Sequence, residues 1–491
     1  MSHRLLSLPA AFARGIAAMS GLLAGATLVI VAPRTTRGQE APQQYDVVIA
    51  NGRVVDPASK RDQVINVGIL DGRIAAISRA TLTGKRTIDA KGLVVAPGFI
   101  DLHEHVQDEA SHRHQVRDGV TSAFEMEGGT ADVAGWYRER GEAQLINFGV
   151  AVGHMPVRIQ AFGGAQALTP SGPSAHDSAT ATQRATMLKL LEQGLAEGAV
   201  GLGAGFAYTD GMTTGEMADV FGVAARAHVP VYVHTRTGLA GVKQALEAAH
   251  AARSAVHIVH LNSVSLGETP QTIAAITEAR RLGRDVTTEA YPYSAGMTGI
   301  QSAILDQYEN APDSMYEKLL RPETGERLTR ASFAKYRKEG GTIIIFMNTE
   351  PMVDLAMTSP LTMVASDAYM INEKGHPRTS GTYSRSLGRY VRELGTVPLM
   401  EMIRKMSLMP AERLAPRVPS MRKKGRIALG ADADITVIDP ASVGDRATYA
   451  EPGLPPTGIP YVLVNGVVVV DNGELVPGVK PGKPVRARII K

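Results

Sequence analysis

Eight short apolar runs recur between residues 94 and 367 of this 491-residue chain, separated by helical stretches rich in Ala, Leu and Glu. They read VVAPGFIDLH, VTSAFEME, INFGVAVGH, AVGLGAG, VPVYVHT, VHIVHL, DVTTEAY and LTMVASD. Strand and helix alternating through one region predict an α/β fold, a closed parallel (β/α)8 barrel over residues 94–423. The pattern is interrupted once, at about 300–350. There an insertion is expected to carry its own strand, TIIIFMN, and a charged helical run around Tyr316–Lys338.

Both flanks read as β structure. Residues 42–93 carry short apolar runs divided by Asn-Gly, Asp-Gly and Lys-Gly, which signal hairpins. Residues 424–491 repeat that texture in RIALGADADITVIDP and YVLVNGVVVVDNGEL. Strands left unpaired at two distant ends would expose sheet edges. The flanks are therefore expected to join into one small β-sandwich domain.

The formal charge of +4 has a single source. Arg4, Arg14, Arg34 and Arg37 precede the first acid, and an apolar stretch runs from Ile16 to Ala32. A positive start followed by an apolar run is the pattern of a secretory signal. It predicts a signal peptide over 1–39, with Thr36-Arg37-Gly38 or Ala24-Gly25-Ala26 at the cleavage site. The product is expected to be exported, periplasmic or secreted, with no stable membrane insertion after cleavage. The remainder is formally neutral, which argues against a nucleic-acid partner. The absence of cysteine excludes disulfides, a thiolate nucleophile and sulfur-ligated zinc.

Reactive groups in such barrels sit at the C-terminal ends of the strands. The first run ends His103-Glu104-His105. Residues two apart on a strand share a face, so both imidazoles form half a metal site and Glu104 points away. The fifth, sixth and eighth runs add His234, His260 and Asp367. The second run ends Glu125-Met126-Glu127 with both carboxylates on one face. Burying two acids is costly without a cation, so one is expected to bridge two metal ions. Glu127, nearer the strand end, is the expected ligand, with Glu125 as the alternative. His154 ends the third run, either behind the ligands or against substrate. His257 is expected to pack away from the site. His112, His114, His228 and His250 are expected on solvated helix faces, and Met402, Met406 and Met409 in packing.

The run from Val95 to His105 resembles the first-strand signature of the amidohydrolase superfamily. The resemblance extends to GRIALGADADITVID near the C-terminus. Within it, the chain is similar to the N-acyl-D-amino-acid deacylase (D-aminoacylase) family. GVTSAFEMEGG at 119–129, GAVGLGAGFAY at 198–208, VHTR at 233–236 and VHIVHLN at 256–262 carry this narrower likeness. So do DVTTEAYPYSAG at 285–296, VASDA at 364–368 and GHPRTSGTYSRSLGRYVRE at 375–393. The resemblance implies an amide hydrolase with one or two Zn²⁺ ions, acting on small N-acyl-amino acids, expected to be the D-enantiomers. It implies His103, His105, His234 and His260 as metal ligands and Asp367 as the proton-transfer carboxylate. It further implies Arg378 as the anchor of the substrate carboxylate, with Tyr291 and Tyr208 nearby.

The chain departs from the family pattern at a few positions. No cysteine follows strand two, so Glu127 or Glu125 must supply that ligand. Asn262 replaces a common lysine, and Gly203 and Met297 replace small hydroxyl residues. An amidase or peptidase acting on N-acyl-L-amino acids or other amides is the alternative. Strand four offers no lysine to carbamylate, which disfavours the cyclic-amide hydrolases. A metal-free binding scaffold would leave the ligand types at four strand ends unexplained.

Overall fold

The computed structural model describes residues 43–490 except 166 and 168. The expected signal peptide lies outside the described residues. Eight strands follow one another across a single sheet: β1 (Phe99–Asp101), β2 (Val120–Thr130), β3 (Asn147–Gly153), β4 (Leu202–Gly205), β5 (Val231–His234), β6 (Val256–Ile258), β7 (Val286–Ala290) and β8 (Thr362–Val364). Every adjacent pair is parallel. Just past β1 and β8, Glu104 pairs with Ala368, and the His105 N–H donates to the Ala368 carbonyl at 3.0 Å. That contact closes the sheet into a barrel.

Side chains fill the barrel. Ile100, Leu102, Phe124, Met126, Val200, Tyr232 and Met363 form one buried cluster inside it. Each such side chain contributes roughly 1.5–3 kcal/mol when fully buried. Several of the helices outside start at an Asp or hydroxyl cap; Thr213, for example, accepts from the Glu216 N–H at the start of Thr214–Ala227.

The first apolar run serves two sheets. Val94–Pro97 pairs parallel with Arg53–Asp56 and antiparallel with Ile435–Ile438, outside the barrel. The run changes sheets at Gly98, whose N–H donates to the Asp434 carbonyl. A Cβ there would stand 2.3 Å from Thr121 Oγ1, so only glycine lets the strands approach. Residues 94–97 thus belong to the flanking β structure and not to the barrel.

That flanking structure is a sandwich. A seven-stranded sheet combines strands from both chain ends, and a four-stranded sheet comes from the N-terminal flank. Ile49, Val67 and Ile69 of one pack with Val54, Ile435 and Leu463 of the other.

The last residues behave differently from the rest of the C-terminal flank. The Val485 N–H donates to the Phe148 carbonyl at 2.7 Å, and Ala487 N–H to the Gly198 carbonyl at 3.0 Å. Val485 and Ala487 join the cluster inside the barrel. The tail therefore covers the end of the barrel where the strands begin. The insertion starts earlier than expected, at Ala295. Ala295–Gly299, Thr342–Phe346, Leu319–Arg321 and Glu326–Arg327 form its antiparallel sheet. Among the described residues, no helix is long and apolar enough to cross a membrane.

Candidate metal centre

The strand ends bring four imidazoles and two carboxylates together. His234 closes β5, while His260 and Asp367 lie two and three residues beyond β6 and β8. Both of the latter have positive φ, 31° and 51°. Non-glycine residues adopt this conformation rarely, and the surrounding contacts must hold it.

Glu127 stands at the middle. Its Oε2 lies 2.8 Å from His103 Nε2 and 3.2 Å from His260 Nε2, and its Oε1 lies 3.0 Å from His234 Nδ1. His103, His105 and Glu127 form one triad able to hold a cation; Glu127, His234 and His260 form another. Asp367 closes a third with His103 and His260, and its Oδ1 lies 3.1 Å from His105 Nε2.

Glu125 does something else. Its Oε2 accepts from His105 Nδ1 at 2.8 Å, and its Oε1 accepts from the Gly128 N–H. Of the two acids open at the sequence level, Glu127 is the one that enters the cluster.

The donor set fits a metal ion. Carboxylates take His103 Nδ1 (Glu289, 2.6 Å) and His105 Nδ1, so the Nε2 lone pairs of both rings turn inward. Those two nitrogens stand 3.3 Å apart. Two ligands on tetrahedral zinc, with bonds of about 2.0–2.1 Å, stand about 3.3 Å apart. Lone pairs and carboxylate oxygens crowded this closely repel unless a cation lies among them. Burial acts to lower His105, but Glu125 and Asp367 outweigh it and raise it to about 10: the anionic surroundings favour a positive charge at this ring, whether a proton or a metal ion on Nε2. Burial likewise acts to raise Asp367, yet Arg378, His103 and His105 hold it far below the usual carboxylate range.

Beside the cluster opens a cavity of about 320 Å³, lined by His105, Glu127, His234, His260 and Asp367 on the barrel side. Tyr208 and Tyr291 line it as well. The insertion supplies Met297, Met315, Ile345, Phe346 and Met347 to the wall, together with the polar Thr298, Gln307 and Lys318. Arg378 is fully buried, over the Tyr291 ring at 4.6 Å, with Nη1 2.9 Å from Asp367 Oδ2. None of its guanidinium nitrogens makes an aligned hydrogen bond among the described residues.

His154 is not brought to the site. It is buried with Nε2 2.8 Å from Glu216 Oε1, a carboxylate that Arg158 also binds. The chain turns into the helix His154–Ala161 at that residue, which carries its side chain away from the cluster. His112 and His114 are also buried, not solvated. His112 Nε2 lies 3.7 Å from Glu104 Oε2, and His114 pairs with Glu373 at 3.0 Å. His257 packs as expected, between Thr287 and Glu289. Asn262 donates to the Tyr291 carbonyl at 3.2 Å and so holds the loop that carries this tyrosine.

Two groups of site residues escaped the sequence. Glu289 gave one signal, a lone acid inside an otherwise uncharged strand. The lining residues of the insertion gave none, because which face of its sheet turns to the barrel depends on docking.

Residues 109–470 match the model of the amidohydrolase family. An N-acyl-D-glutamate deacylase of Alcaligenes xylosoxydans xylosoxydans is 30% identical, over 90% of this chain and 97% of that protein. A D-aminoacylase of the same organism is 28% identical, over 88% and 96%. The crystal structure of N-acyl-D-glutamate deacylase from Bordetella bronchiseptica, with zinc and a phosphonate inhibitor, superposes with a TM-score of 0.78. It is 27% identical and covers 91% of this chain and 100% of its own.

Proposed function

The chain belongs to the amidohydrolase family, and from that premise we propose that it is a zinc-dependent hydrolase of N-acyl-D-amino acids. The reaction splits the amide into a carboxylate and a free amino acid. The observation that carries this reading is the pair of metal-binding triads sharing Glu127, set beside a buried guanidinium at Arg378 that ion-pairs with Asp367.

In this reading His103, His105 and Glu127 would hold one ion, and Glu127, His234 and His260 would hold a second. What zinc supplies in such a centre is Lewis acidity, which lowers the pKa of a water and polarises a carbonyl. Asp367 faces the same space with Oδ1 and is kept ionised by Arg378. It accepts the proton of the attacking water and delivers it to the departing amine nitrogen, which cannot leave as an anion. Arg378 pairs with Asp367 through Nη1, and the rest of its guanidinium, which makes no aligned hydrogen bond among the described residues, is the proposed partner of the substrate carboxylate. The Tyr208 and Tyr291 rings wall the cavity between the metal ligands and the insertion.

A hydrolysis screen of N-acyl-amino acids in both enantiomers, with added zinc, tests the reading. Turnover of D-substrates is expected. Turnover confined to L-substrates would overturn the chiral assignment, and no amide turnover would overturn the reaction class. Export is part of the same reading and rests on the four arginines flanking the apolar run at 16–32. Fractionation of producing cells should place the protein outside the cytoplasm.

A further inference from the structure

Glu289 lies on β7, one residue before its end, and is almost completely buried. Its Oε1 accepts from His103 Nδ1 at 2.6 Å, and its Oε2 lies 3.1 Å from His257 Nε2. His257 Nδ1 in turn lies 2.7 Å from Thr287 Oγ1. β6 and β7 pair His257 with Thr287 in register. Thr287 and Glu289, two apart on β7, therefore share a face and bracket the His257 ring. The result is one chain of polar contacts running from the half-buried Thr287 through the buried His257 and Glu289 to His103.

A carboxylate can only accept, so Glu289 fixes the hydrogen of His103 on Nδ1. The lone pair of Nε2 is then directed at Glu127, His105 and Asp367, at 2.8, 3.3 and 3.6 Å. The imidazoles of the centre are not equally held. His105 has Glu125 on its Nδ1, whereas His260 Nδ1 has no hydrogen-bond partner among the described residues. A buried carboxylate costs free energy that apolar packing would avoid, so its placement on a ligand nitrogen calls for a role.

We infer that Glu289 is a positioning residue of the metal centre, clamping His103 through Nδ1, and that His257 and Thr287 hold the clamp. The inference rests on the metal-centre reading above. Partners of this kind orient a ligand and raise its basicity, and their loss typically lowers metal affinity about 10–100-fold.

The test is the zinc affinity of purified protein, by competition with a chromophoric chelator, with thermal unfolding of the apoprotein alongside. Glu289→Gln keeps the shape and removes the charge. It should bind zinc about 10–100-fold more weakly while the apoprotein stays folded. Thr287→Val loosens only the far end and should weaken binding by about severalfold, within the same range of effects. Zinc affinity within about twofold of the parent in a folded Glu289→Gln protein would overturn the inference. If that variant does not fold, His257→Gln decides in the same way, unchanged affinity again overturning it. A parent chain that takes up no zinc would overturn the metal-centre reading itself.

Discussion

Asp367 is held between opposite demands: Oδ2 lies 2.9 Å from Arg378 Nη1, while Oδ1 lies 3.1 Å from His105 Nε2. The guanidinium keeps the carboxylate ionised inside a buried site, and the free edge of the carboxylate faces the metal ligands. A base needed for water activation is thereby kept charged where burial alone would protonate it. Asp367→Asn should retain zinc and lose activity by about 10²–10⁴-fold, the usual contribution of a positioned proton carrier. Metal content and kcat measured on the same preparation check this; near-normal turnover would remove the role.

Arg378 has two possible tasks, and steady-state kinetics separate them. If it holds the substrate carboxylate, Arg378→Gln loses a charged hydrogen bond of about 1.5–3 kcal/mol, and kcat/KM falls by about 10–100-fold, mostly through KM. A fall in kcat at constant KM would instead assign the arginine to Asp367 alone.

The two glutamates of strand β2 should fail differently. Glu127→Gln disturbs the carboxylate that both triads share, and zinc content and activity should fall together. Glu125→Gln leaves every ligand in place and loosens His105, so zinc should remain bound with affinity lower by about 10–100-fold. The reverse pattern in a zinc titration would exchange their roles.

Lys405 makes stability depend on pH far from the site. It is buried, and its Nζ donates to the Met357 and Ser359 carbonyls. Burial lowers its pKa to about 7, against a reference near 10.5. Between those values the unfolded chain binds more protons than the folded one, so stability from this group rises with pH. Below about pH 7 the penalty for the buried charge is fully present. Relative to Lys405→Met, the parent should gain about 2 kcal/mol between pH 7 and 9. Urea unfolding of both proteins at the two pH values measures it, and parallel curves would refute it.

Much of the centre was legible before folding. His103, His105, His234, His260 and Asp367 each end an apolar run, and a parallel barrel gathers such ends at one mouth. The two-residue period of a strand was enough to pair His103 with His105 and to turn Glu104 away. His154 satisfied the same rule and still went elsewhere, because the chain enters a helix at that residue and Glu216 and Arg158 take its ring. His112 and His114 looked solvated because local polarity around them is high, but the distant segments packed against their helix, Arg378–Arg385 and the strands Val467–Asp471 and Glu474–Leu475, were not visible locally.

What the sequence by itself determined is the alternation that makes the barrel and the kind of chemistry its strand ends offer. These are local properties: strand period, apolar runs, and ligand types with no cysteine among them. Tertiary structure alone decided that Glu289 stands behind His103 and that the insertion walls the cavity, and it set Glu125 on His105 Nδ1 while Glu127, the acid the strand end favoured, enters the cluster. Each depends on contacts between segments far apart in the chain, such as His103 and Glu289, which are separated by 186 positions. Hydrogen bonds and packing at that separation exist only after the barrel closes and the insertion docks, and nothing in the local pattern of residues encodes their distances.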